Sequence, residues 1–121
     1  MNSIEFTYDN EKRFNSQIEI TLYRIVCELI NNTLKHAMAN KVEINLSHKY
    51  DMGYIQLIYS DDGKGFNLEK VIENKKGLGL NNMIQRVATL KGSIKFDTQE
   101  GNPLLVTIEL PIINEVYYEQ K

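Results

Sequence analysis

The sequence has a single cysteine, Cys27. No intramolecular disulfide can form, which suits a reducing compartment. Within "IVCEL" that thiol reads as a packed side chain rather than a nucleophile. No apolar run approaches the roughly 20 residues of a membrane span. The opening "MNSIEFTYDNEKRF" has no apolar signal core. Repeats, low-complexity tracts and linker-like stretches are also missing. Net charge is −2 with no long run of one sign, which argues against electrostatic binding of nucleic acid. Neither "GxxxxGK[ST]" nor "GxGxxG" occurs, so the best-known phosphate-binding loops are absent.

What remains is an ordinary globular composition. Of 121 residues, 42% are hydrophobic and 25% charged. This length fits one domain, 1–121, with a real core. Residues 4–8 alternate Ile4, Phe6, Tyr8 and predict a strand. From Ser16 to Ala39, Leu22, Ile25, Val26, Leu29, Ile30 and Thr33 recur at helical spacing. "KVEINLS" predicts a half-buried strand, "HKYDMG" a turn holding a solvated His48, and "YIQLIYS" the next strand. A polar stretch over 67–76 follows. "GLGLNNMIQRVATLKG" predicts a second amphipathic helix, stopped by Gly92. "SIKFD" and "LLVTIELP" predict two more strands around the turn "TQEGNP". Strands joined by short turns, with two amphipathic helices, give an α+β fold. The expected architecture is a two-layer α/β sandwich, its mixed, mostly antiparallel sheet covered on one face by helices.

Three stretches carry polar chemistry beyond that frame. At about 100° per residue, Glu28, Asn32 and Lys35 share one arc of the first helix beside its apolar stripe, with His36 at the boundary. A solvated ladder of polar side chains would show the same pattern. "SDDGKGF" follows a strand, and taken alone it is ordinary turn chemistry. "KKGLGL" opens a helix, where exposed N–H groups attract anions and glycine admits a phosphate close to the backbone.

Together, "ELINNTLKHA", "DDGKGF" and "KGLGL" in this order resemble the N, G1 and G2 boxes of the ATP-binding domain of sensor histidine kinases. That domain has the Bergerat fold, shared with type II topoisomerases and some chaperones. "LYRIVCELINNTLKHAMANKVEI", "GLGLNNMIQRVATLKGSIKF" and "VTIELP" follow the subgroup of nitrate-sensing and membrane-fluidity-sensing kinases. The resemblance spans about residues 15–111, with a short lid at about 67–76.

The resemblance implies ATP and Mg²⁺ as ligands and a role for each matching residue. Asp61 would accept a hydrogen bond from the adenine amino group. Gly63 and Gly65 would let the backbone pass close to the base. Asn32 would ligate Mg²⁺, and Lys35 and His36 would contact the phosphates. Glu28 would belong to the water network or stand behind the metal's ligands. Gly77, Leu78, Gly79 and Leu80 would close over the phosphates, while Asp62 would stay outside the contacts. One departure is visible: where the family often has "GxGT", this chain has "GNPL". Pro103 and Leu104 thus replace a glycine and a threonine that often touches the adenine pocket.

The implied activity is delivery of the ATP γ-phosphate to a histidine on a separate dimerisation domain, and onward indirectly to a response regulator. No acceptor histidine stands in such a context here. The expected whole is therefore a longer kinase, membrane-anchored or not, whose cytoplasmic catalytic part this is. The expected alone-state is a monomer that does not phosphorylate itself. The alternatives are a stand-alone relative of the same fold, such as an anti-sigma factor with serine kinase activity, or a nucleotide-binding interaction module.

Overall fold

A computed structural model describes residues 3–8, 16–49, 52–65, 79–98 and 101–112, with only the backbone at positions 36 and 37. The strands are β1 (Ser3–Tyr8), β2 (Lys41–Lys49), β3 (Tyr54–Asp61), β4 (Ser93–Asp97) and β5 (Leu105–Pro111). The helices are α1 (Ser16–Asn32), extended by a π-helical turn over Thr33–Ala37, and α2 (Leu80–Thr89). The sheet order is β1-β2-β3-β5-β4. β1 runs parallel to β2, and the other three pairings are antiparallel. This is the mixed, mostly antiparallel sheet that the strand pattern predicts.

Alternation explains the two layers. Ile55, Leu57 and Tyr59 of β3 are buried, while Gln56 and Ile58 between them are only partly so. Cross-strand partners point to the same face. Ile44 pairs with Tyr59, and Leu57 with Ile108, so one continuous apolar face forms. Against it pack Ile18, Leu22, Ile25 and Leu29 of α1, and Leu80, Met83 and Val87 of α2. Each such side chain contributes about 1.5–3 kcal/mol on leaving water.

Three expectations need correction. The α-helical pattern was expected to run to Ala39, but it gives way after Asn32 to the π turn, and Met38 turns left-handed with φ 52°. Apolar spacing carries no signal for that widening of the turn. His48 is not in a turn or solvated: it lies in β2 opposite Ile55, 8% exposed. β2 continues past Ser47 because its inward alternation carries on from Leu46 to His48. Finally, α2 ends with Lys91, not glycine, in the left-handed conformation at φ 61°. Lys91 N–H donates to the Ala88 carbonyl and Gly92 N–H to the Val87 carbonyl, both at 2.9 Å, a Schellman closure.

Candidate functional site

β3 ends in an unusual continuation of its buried face. The inward row Ile55, Leu57, Tyr59 continues to Asp61, which is 5% exposed. A carboxylate is thus driven beneath the helical layer, where it needs hydrogen-bond donors. Two are present. Thr33 Oγ1 donates to Asp61 Oδ2 at 2.8 Å, and Gly63 N–H donates to Oδ1 at 2.9 Å. The Asp61 backbone N–H donates to the Leu104 carbonyl at 3.1 Å. Thr33 Oγ1 also lies 2.5 Å from the Tyr59 hydroxyl, which donates to the Leu29 carbonyl at 3.1 Å. Burial pushes the Tyr59 phenol up to about 12.

The next acid does a different job. Asp62 Oδ1 accepts from the backbone N–H groups of Asn40 at 2.7 Å and Lys41 at 3.0 Å. The Lys41 and then the Asn40 bonds hold its carboxyl below the usual range. Asp62 therefore pins the entry of β2 to the loop after β3. Beyond it, Gly65 is buried with φ 62°. Gly101 N–H reaches back to the Lys64 carbonyl at 2.6 Å, tying the "GNPL" turn to the "DDGKG" loop. Leu104 is 3% exposed and belongs to the core.

On α1, Asn32 is buried, Glu28 is half-buried and Lys35 is exposed. Thr33 follows Asn32 directly and bonds to Asp61, so the structure brings Asn32 and Asp61 to the same end of the helix–sheet interface. Glu28 points to the start of α2. Gly79 there has φ 67°, and a β carbon on it would fall 1.8 Å from Glu28 Oε1. Leu80 buries its side chain in the core, and as the first residue of α2 its backbone N–H has no partner within the helix. A groove of about 260 Å³ runs from Glu28 and Gly79 outward between the helices, past Arg24, Cys27, Asn82 and Arg86. The expected lid, Gly77 and Leu78 lie outside the described residues, as does the His36 side chain.

Two participants escape a reading of spacing. Thr33 counts as one more member of the apolar stripe, and Tyr59 as one more core aromatic. The signal was present in the register: a hydroxyl residue directly after Asn32, and a phenol on the same strand face as Asp61.

Residues 17–114 match the family model described as histidine kinase-, DNA gyrase B-, and HSP90-like ATPase. Sensor histidine kinase ComP of Bacillus subtilis (strain 168) is 35% identical over 107 residues, covering 85% of this chain and 14% of ComP. Signal transduction histidine-protein kinase/phosphatase DegS of the same organism is 31% identical over 103 residues, covering 84% of this chain and 26% of DegS. The chain therefore spans a minor part of the length of these relatives. Among solved structures, Acinetobacter baumannii histidine kinase AdeS superposes with TM-score 0.73 at 23% identity, covering 92% of this chain and 54% of that one.

Proposed function

The chain belongs to the family of histidine kinase-, DNA gyrase B-, and HSP90-like ATPases, and we propose that it is the ATP-binding catalytic domain of a sensor histidine kinase. Its substrate is ATP, and its product is a phosphohistidine on a separate dimerisation domain of the same full-length kinase, passed on indirectly to a response regulator. The place of action is the cytoplasm. No described helix is long and apolar enough to cross a membrane.

The observation that carries this reading is the buried Asp61 carboxylate joined through Thr33 to the turn beside Asn32. A carboxylate accepts a hydrogen bond from the 6-amino group of adenine and has no proton for a 6-carbonyl. Gly65, in its left-handed conformation, keeps the backbone beyond Asp61 turned and compact. The phosphates would run from there towards Asn32, Lys35 and the first turn of α2, where N–H groups and the helix dipole favour anions. Glycine at position 79 adds no side chain there, and the flexible Glu28 carboxylate that fills the space beside it would swing aside for a phosphate.

Magnesium fits the donor set. Asn32 offers an amide oxygen, and Glu28 stands one turn before it on α1. This ion keeps several waters and needs few protein ligands besides phosphate oxygens. Among the described residues no group of three or more His, Cys, Asp or Glu could hold a metal alone, so the ion would enter with the nucleotide. When bound it would neutralise charge on the phosphates. The protein's own share is to hold the base by Asp61, orient the triphosphate by α1 and α2, and present the γ-phosphate at the groove beside Glu28.

Calorimetry with ATP and Mg²⁺ tests binding, and labelled ATP with the kinase's own histidine-bearing domain tests transfer. Expected are saturable ATP binding and label on the added domain. A chain that binds no nucleotide, or that labels its own His36 or His48, contradicts the proposal.

A further inference from the structure

The polar chain Tyr59–Thr33–Asp61 is buried, yet neither Tyr59 nor Thr33 has a role in the family pattern described above. We propose that Thr33, held in place by Tyr59, is the positioning residue that aims the Asp61 carboxylate and so sets preference for a 6-amino over a 6-oxo purine. This rests on the reading of Asp61 as the group that meets the base.

The direction of the hydrogen bonds follows from proton counting. Thr33 has one hydroxyl proton, and a carboxylate has none to give. The 2.8 Å bond to Asp61 Oδ2 therefore uses the Thr33 proton. Thr33 Oγ1 lies close to the Tyr59 oxygen, and a contact that short needs a proton between the two oxygens. It comes from Tyr59, whose single proton lies between two acceptors, Thr33 Oγ1 at the shorter distance and the Leu29 carbonyl at 3.1 Å. With burial raising its phenol to about 12, Tyr59 keeps that proton throughout the physiological range. The order is Tyr59 to Thr33 to Asp61.

This order fixes the carboxylate at both oxygens. Gly63 N–H holds Oδ1 and Thr33 holds Oδ2. The bonds come from the loop on one side and from α1 on the other, so rotation about the Cβ–Cγ bond breaks one of them. Each oxygen keeps a further lone pair that can accept a hydrogen bond. Leu104 strengthens the case. It stands where the resembling family often has a threonine at the adenine pocket, yet here its side chain is in the core and only its carbonyl meets Asp61. Among the described residues, the side-chain hydroxyl on this carboxylate comes from the helix.

Inosine triphosphate is the decisive probe, since it differs from ATP in carrying a carbonyl in place of the 6-amino group. Affinities for ATP and inosine triphosphate would be measured by calorimetry on the wild type, Thr33→Val, Thr33→Ser and Tyr59→Phe, with a thermal melt on each. Expected for Thr33→Val is a loss of ATP affinity of about tenfold, with little change for inosine triphosphate, so the ratio collapses. Thr33→Ser restores the ratio, and Tyr59→Phe lowers it by a smaller factor. A purely structural defect weakens both nucleotides alike and leaves the ratio unchanged; that outcome overturns the inference. Should Thr33→Val fail to fold, Tyr59→Phe against Thr33→Ser decides: equal ratios overturn it. A wild type that binds neither nucleotide faults the parent reading instead.

Discussion

Glu28 and Gly79 are in contact: the α1 carboxylate occupies the space where any side chain at position 79 would begin, with Oε1 1.8 Å from a β carbon built there. Position 79 also has φ 67°, where a non-glycine residue costs about 1–2 kcal/mol. Gly79→Ala should therefore lower stability by about that amount, seen as a reduced Tm. The steric part is relieved by rotating Glu28 away, because its end is flexible. Glu28→Ala combined with Gly79→Ala should accordingly show a smaller loss than the two single changes summed. Strict additivity would mean that the two residues do not share that space.

Asp61→Asn tests the base contact. The amide keeps one acceptor but loses the charge, and its NH₂ must face either the Gly63 N–H or the Thr33 hydroxyl. ATP affinity should fall about tenfold or more. Asn32→Ala should instead weaken binding only when Mg²⁺ is present. Calorimetry with and without chelator separates these effects. An unchanged ATP Kd for Asp61→Asn would remove the base assignment, and a retained magnesium response in Asn32→Ala would remove the metal assignment.

The sheet and helices were legible because period-2 and period-3.6 patterns report burial directly. Val42, Ile44, Ile55, Leu57, Val106 and Ile108 all face the core as their alternation predicts. The candidate boxes were legible as short strings whose order matters. The polar tie between them was not. Thr33 sits at helical spacing with Leu29 and Ile30, so burial was readable, but its hydroxyl partner lies 28 residues away. Only the strand register places Asp61 beside it. The π turn and buried His48 were missed for related reasons: a widened turn leaves no periodic trace, and a histidine next to lysine and tyrosine looks like a loop.

Asp62 predicts an acid response. Backbone N–H groups of Lys41 and Asn40 bind its ionised form, so its folded pKa is depressed. A depressed carboxyl contributes stability above its unfolded pKa, about 3.9, and loses it as pH falls through the lower folded value. Asp62→Asn should be less stable than wild type at neutral pH, with the two unfolding curves converging in strong acid. Denaturant melts across that range check it. A difference that persists undiminished at the lowest pH would show that charge at position 62 is not what pins β2.

The end of α2 separates two roles that a single glycine usually combines. Lys91 takes the left-handed conformation, while Gly92 supplies the close approach. A β carbon on Gly92 would lie 2.3 Å from the Glu109 carbonyl oxygen and 2.6 Å from Leu110 Cδ2. The first of these is backbone of β5, paired on both sides by β3 and β4, so it cannot swing aside. Gly92→Ala should push α2 off the sheet and cost about 1–3 kcal/mol as an overpacking defect. Lys91→Gly should do the opposite. It removes the left-handed penalty of about 1 kcal/mol or more, partly offset by the greater freedom of glycine in the unfolded chain. Its Tm should stay level or rise, whereas that of Gly92→Ala falls. Because α2 carries Gly79 and Leu80 at its other end, Gly92→Ala should also weaken ATP binding, and Lys91→Gly should leave it intact. If Gly92→Ala melts like wild type, the contact with β5 is looser than the geometry states, and α2 is not anchored there.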